Sequence, residues 1–167
     1  LENCINSDLA NNYGNLCQRV FSFIKNNCEG KVNKTKNITD SDKKLLEQTE
    51  ALTKDLRKEM NNQNLNNYMK SVINISFLTN KYINDEEPWK LKKNNNEKMN
   101  NILHIALEQI AKISILFNPI IPTATTKVLE ALNIKLELRN LSFLDGNNIF
   151  KNEIKIKELD ILFKKIT

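Results

Sequence analysis

The 167-residue chain has one histidine, one tryptophan, three cysteines, three glycines and three prolines, and each scarcity excludes something. With so few histidines and glycines there is no H-E-x-x-H metal helix, no Gly-rich phosphate loop and no G-x-S-x-G elbow. Cys4, Cys17 and Cys28 are odd in number and form no C-x-x-C pair. Neither a disulfide framework nor a zinc site follows from them; they read as buried free thiols on a helix in a reducing compartment. No apolar run reaches the ~18 residues of a membrane span, and no charged-then-apolar signal segment opens the chain. These exclusions predict a soluble, cytoplasmic protein with no membrane contact, no metal and no catalytic site in this chain.

Few turn formers combined with 40% hydrophobic and 27% charged residues describe a helix-rich globular chain. Its length suits one domain, or one domain with a small appendage. The first residue is Leu1, and the residues after it already carry helical spacing, which predicts a piece of a longer protein. The net charge of +5 allows an anionic partner such as nucleic acid. Asparagine-rich stretches such as "NNQNLNNY" and "KKNNNEKMNN" accompany the lysines, as adenine- and thymine-rich codons would produce, so the lysine excess says little. The three arginines, Arg19, Arg57 and Arg139, carry more information.

Ile5, Leu9, Tyr13, Leu16, Val20 and Ile24 recur at three- and four-residue steps, predicting an amphipathic helix that ends near residues 27–30. Its opposite stripe, from Asp8 through Asn12, Asn15, Arg19 and Ser22 to Asn26, is polar. Gly14 lies within this helix, which suggests close packing at that turn. Thr39, Asp40 and Ser41 are N-cap candidates for a second helix over 41–60, with a thin stripe of Leu45, Leu52, Leu56 and Met60. "NLNNYMKSVINISFLTNKYI" predicts a third helix that is apolar on more than one side, hence central, and that stops before "NDEEPW". Residues 97–117 form the most continuous helical pattern, ended by Asn118 and Pro119. His104 within it reads as a packed core residue. A last short helix follows, with Pro119 and Pro122 at its entrance and Asn133 at its C-cap.

Beyond it, Asp145-Gly146 predicts a turn, and Ile154 and Ile156 alternate with lysines as in short extended pieces. No sustained heptad or long repeat appears, so the expected fold is all-α, an antiparallel bundle of about five helices. The expected division is a helical domain over 1–135 and a short extended tail over 136–167 packed on it. Glu86 and Glu87 read as negative charge favouring the start of a following helix.

Two polar features remain. Asn15 and Arg19, four residues apart, rise from one helix face as neighbours. An amide beside a guanidinium can bond base edges and phosphates, or can be a solvated surface. Trp89 follows Pro88 among charges, and Pro88 suits the first turn of a helix. The indole is then either a platform on which an unpaired base stacks or a lid folded back on the bundle.

The run Asn80, Lys81, Tyr82, Ile83, four residues, then Pro88, Trp89, Lys90, Leu91 resembles the "N-x-Y-I-x-x-x-x-P-W-x-L" signature of methionyl-tRNA synthetases. "DLANNYGNLCQR", residues 8–19, is similar to the opening of that family's anticodon-binding helix, "D-L-A-N-x-x-G-N-L-x-x-R". "ILFNPIIPTATTKVLEALNI" is similar to the family's segment leading into its last bundle helix. The family's usual ending, Leu-Phe-Pro-Arg-Ile, is here "LFKKI", with Lys164 and Lys165 in place of Pro-Arg.

The resemblance implies that Trp89 stacks on the first base of a CAU anticodon, that Asn15 and Arg19 contact the anticodon bases, and that Pro88 holds the Trp89 corner, its neighbouring backbone reading the same cytosine. The family's ATP-binding motifs of the HIGH and KMSKS kind are missing from the chain. By resemblance this is the C-terminal, anticodon-reading part of a ligase. Its catalytic domain, using ATP with magnesium to join methionine to tRNA(Met), lies elsewhere in the parent. The implied partners are the tRNA(Met) anticodon loop and that catalytic domain. The other readings are the helical domain of a related class I synthetase, for cysteine, valine, leucine or isoleucine, and a helical protein-interaction module without RNA, anchored by Trp89.

Overall fold

The computed structural model describes residues 9–34, 36–61, 64–140, 144, 150, 153–160 and 162–163. Cys4, the Asp145-Gly146 pair and the Lys164-Lys165 ending lie outside them. A π-helical stretch, Leu9–Gly14, runs into α1, Asn15–Cys28. Next come β1 (Lys31–Val32), α2 (Asp40–Asn61), α3 (Leu65–Glu86), the one-turn α4 (Pro88–Leu91), α5 (Asn96–Phe117) and α6 (Pro122–Ala131). A 3-10 turn at Leu136–Leu138 and β2 (Ile154–Lys155) complete the described elements. None of the described helices is long and apolar enough to cross a membrane.

Side-chain hydrogen bonds set the helix directions. Tyr13 meets Ser114 while Asn33 meets Asn100, so α1 runs antiparallel to α5. Tyr68 reaches Leu116 while Tyr82 lies beside Asn101 through a shared Asp42, so α3 is also antiparallel to α5. Asp42 meets Asn101 and Thr49 meets Gln109, so α2 runs with α5. These directions make an up-down-up-down bundle of long helices, the expected fold.

The central helix is α5, not α3. Every residue from Met99 to Phe117 is buried, whereas α3 leaves Phe77 47% exposed. Hydropathy hides this because α5 carries Asn101, Gln109 and Ser114 on flanks that would be polar on a surface helix. Each is matched by a partner brought in by another element: Asp42 at 2.6 Å, Thr49 at 2.6 Å and Tyr13 at 2.6 Å. Such pairings offset the cost of burying these donors and hydroxyls, and they fix the register of the packing. His104, 4% exposed, packs against the edge of Phe150, as a core residue does.

Helix ends follow local chemistry. Thr39 caps α2 reciprocally: its hydroxyl accepts from the Asp42 amide at 3.3 Å, and the Asp42 carboxylate accepts from the Thr39 amide at 2.9 Å. Asn64 and Asn95 cap α3 and α5 through their side-chain oxygens. Beyond the expected boundary, α3 continues through Asn84, Asp85 and Glu86 to a left-handed Glu87, φ 48°. Gly14 is buried in ordinary helical conformation where the π stretch becomes α1. Cys17 is buried and Cys28 half-buried, both as thiols. β1 pairs antiparallel with β2, Val32 opposite Ile154, and the half-buried Ile156, Leu159 and Phe163 pack against the core.

Candidate nucleic-acid interface

Of the six residues that the "N-x-Y-I-x-x-x-x-P-W-x-L" run specifies, one is exposed. Asn80 donates to the Asn12 carbonyl at 3.2 Å, tying α3 to the π stretch just ahead of Asn15. Tyr82 donates to the buried Asp42 at 2.5 Å. Burial and the adjacent carboxylate, with which it shares a hydrogen bond, push its phenol far above the usual tyrosine range. Ile83 is buried, and its carbonyl accepts the Glu87 amide that ends α3. Pro88 is buried at the first turn of α4, and the half-buried Leu91 packs on the core. Trp89 remains, 45% exposed. The indole stands at a corner next to the buried Pro88.

The corner is made by Glu87. Its left-handed conformation, which costs a non-glycine residue about 1 kcal/mol or more, lets one residue serve as C-cap of α3 and N-cap of α4. Pro88 then supplies a preset φ and needs no amide donor at the helix start. The reading of Glu86 and Glu87 as negative charge at a helix start is corrected for Glu86, which is the last residue of α3; Glu87 stands at the N-cap of α4, with no side-chain cap hydrogen bond. Both pair with lysines: Glu86 with Lys98 at 3.6 Å and Glu87 with Lys90 at 3.0 Å, while Asp85 pairs with Lys81 at 2.6 Å. The acidic run beside Trp89 is thereby matched charge for charge.

Asn15 and Arg19 are both exposed on the polar face of α1. Arg19 Nη2 donates to Asn84 Oδ1 of α3 at 2.9 Å. Further along, Lys92 after α4 donates to Asn27 of α1 at 3.0 Å. The π stretch and α1 are therefore fastened to the strip of chain that carries Trp89 at Asn12, Arg19 and Asn27 in turn. Of the predicted residues, Arg19 is joined directly to α3 through Asn84, Asn15 is exposed one turn before it on α1, and Pro88 and Trp89 follow α3 in the chain. Asn84 and Lys92 were not among the predicted site residues; their contacts span 65 positions each, and no local pattern marks them. Arg139 is structural: its guanidinium donates twice to the Ile134 carbonyl, at 3.0 and 2.8 Å.

The fold is that of an aminoacyl-tRNA synthetase helical bundle. The chain superposes on the crystal structure of the apo form of Mycobacterium tuberculosis methionyl-tRNA synthetase with a TM-score of 0.88 and 24% identity, covering 98% of this chain and 33% of that one. A family model described as the anticodon binding domain of methionyl tRNA ligase matches residues 32–167, and the chain belongs to that family. It is 34% identical over 140 residues to the methionine–tRNA ligase of Brucella suis biovar 1, covering 84% of this chain and 27% of the relative. It is 32% identical over 165 residues to the methionine–tRNA ligase of Rickettsia typhi, covering 97% of this chain and 32% of the relative. The chain thus spans about a quarter to a third of the length of the relatives it matches.

Proposed function

We propose that this domain reads the CAU anticodon of tRNA(Met) for a methionine–tRNA ligase, with Trp89 stacking on the first anticodon base and Asn15 and Arg19 contacting the bases. The observation that carries this reading is the exposure of Trp89: of the six residues that the family's run specifies, the other five are buried or half-buried and only this ring is exposed to solvent. Loop bases are unstacked and can be splayed onto such a ring, while an amide and a guanidinium read their edges. Pro88 acts as the support of the corner, and the adjacent backbone meets the same base. Residues 1–135 form the reading domain and 136–167 a tail packed on it. Joining methionine to tRNA, with ATP and magnesium, belongs to the catalytic part of the same cytoplasmic polypeptide, which this domain serves by recognition.

The test is affinity for an RNA hairpin with a CAU loop against the same hairpin carrying another first anticodon base. Preference for CAU that weakens steeply with salt is expected, because phosphate contacts supply much of the affinity. Equal affinity for both loops would remove the anticodon assignment.

A further inference from the structure

The bundle buries or half-buries its described aromatic side chains with two exceptions, Trp89 at 45% and Phe77 at 47% exposure. Phe77 is on the same helix as the Arg19 partner. Residues seven apart on a helix share a face, so Phe77 lies two turns below Asn84, about 10 Å along the axis at 1.5 Å per residue. That face of α3 borders α1, since Asn80, between the two, donates to the Asn12 carbonyl and Asn84 accepts from Arg19. Seven residues before Phe77, on the same line, stands the exposed Lys70. A cation, a flat ring and a hydrogen-bonded amide-guanidinium pair therefore follow one another along one face of α3.

We propose that Phe77 is a second stacking platform, which takes an unpaired RNA loop base other than the one at Trp89, with Lys70 meeting the adjoining phosphate. This rests on the reading of the domain as an RNA-loop binder. A ring stacks any base because each base has a π face, and a nearby lysine tracks the backbone. Burying half a phenylalanine in protein was available to this bundle at other positions; at Phe77 the ring is held on a helix whose opposite face is anchored by Val72, Ile75 and Thr79. The side chain can thus receive a base with little reorganisation.

The experiment uses the polypeptide that carries this domain, binding a CAU hairpin and hairpins made abasic at each loop position in turn. In the unsubstituted protein, removing a stacked base should weaken binding by about five- to a hundredfold. With Phe77→Ala, intact RNA should bind more weakly, and one abasic hairpin should bind no worse than the intact one. That position should differ from the one cancelled by Trp89→Ala. Phe77→Trp should restore the loss, and Lys70→Ala should lower the salt slope by about one phosphate contact. The proposal is overturned if Phe77→Ala leaves every affinity unchanged, if it weakens all hairpins by one factor, or if it cancels the same position as Trp89→Ala. Failure of the anticodon reading shows separately, as no preference for CAU in the unsubstituted protein.

Discussion

Arg19 and Asn84 are joined by one hydrogen bond of 2.9 Å, and it links the polar face of α1 to the last turn of α3. A guanidinium has five donors, so the bond to Asn84 orients the group while its other donors stay available. Replacing Asn84 by alanine removes the acceptor without touching the core, since both residues are exposed. The expected outcome is an affinity for the CAU hairpin lower by about three- to tenfold, in line with one hydrogen bond of about 1 kcal/mol, with an unchanged melting temperature. Binding titrations on Arg19→Ala, Asn84→Ala and the double variant check it. The double variant should bind like Arg19→Ala alone, because residues that act through one another are not additive.

Trp89→Ala should lower CAU affinity by an amount equivalent to about 1 to 3 kcal/mol, the range for a stacked base. Helicity by circular dichroism should be preserved, because the indole is 45% exposed and the corner is held by Pro88 and the Glu87 amide. Pro88→Ala should behave differently: the buried ring and fixed φ are lost, so both stability and affinity fall. A melt and a titration on the same two samples separate a ring that touches RNA from a ring that holds the corner.

How much of this was legible in the sequence depended on how local each cause is. Thr39 caps its helix through an atom three residues away, and the second helix starts where that candidate predicts; Asn64 and Asn95 cap the third and fifth helices in the same local way, although neither is marked as a cap in the sequence. The extension of α3 past Ile83 was not legible, since its stop is a left-handed glutamate rather than a glycine or asparagine. Nor was the central place of α5, because the groups that satisfy Asn101, Gln109 and Ser114 lie 59, 60 and 101 positions away. At the site, Trp89 and Pro88 are adjacent and Asn15 and Arg19 one turn apart, so each pair could be read. What could not be read was that Asn84 of α3 bonds Arg19 and that Lys92 bonds Asn27, each across 65 positions.

Asp42 is the buried junction of α2, α3 and α5. Its carboxylate, 1% exposed, accepts from the Thr39 amide, from Tyr82 at 2.5 Å and from Asn101 at 2.6 Å. Asp42→Ala would strand the Tyr82 hydroxyl in the core, take one acceptor from the Asn101 amide and remove a helix cap. A stranded group costs about 1 to 3 kcal/mol. Chemical denaturation should therefore show a loss of roughly 3 to 5 kcal/mol, large enough to unfold a marginal domain.

The buried tyrosines give the fold an alkaline limit. Burial pushes the phenols of Tyr13 and Tyr82 well up and that of Tyr68 to about 12. A group whose folded pKa is raised contributes stability that is fully present below its unfolded value, about 10 for tyrosine, and lost as pH rises above that value. Burial lowers the Lys112 pKa, so its contribution runs the other way: stability rises with pH up to the ordinary lysine value of about 10.4. Melts across pH 8 to 12, values set around these pKa references, should show a shallow rise and then a steep fall above about pH 10. Tyr82→Phe should lower stability at neutral pH by the lost bond to Asp42, about 1 kcal/mol, and make the alkaline fall shallower.

The lysine partners of the acidic run separate stability from binding most cleanly. Lys90 and Glu87 are paired at 3.0 Å with both side chains well exposed, and an exposed pair of this kind contributes little to folding. Its consequence is for the field at Trp89, two residues from Glu87: without the ammonium, a carboxylate faces the phosphates of any strand laid across the indole. Lys90→Ala should leave the melting temperature within a degree or so, yet weaken hairpin binding several-fold at low salt, and the difference from the unsubstituted protein should shrink as salt screens the charges over about 10 Å. Adding Glu87→Gln to Lys90→Ala should restore most of the affinity, because the carboxylate, not the missing lysine contact, is then the cause. If the double variant stays as weak as Lys90→Ala, Lys90 acts instead as a phosphate contact in its own right, and the salt slope should fall by about one in both variants.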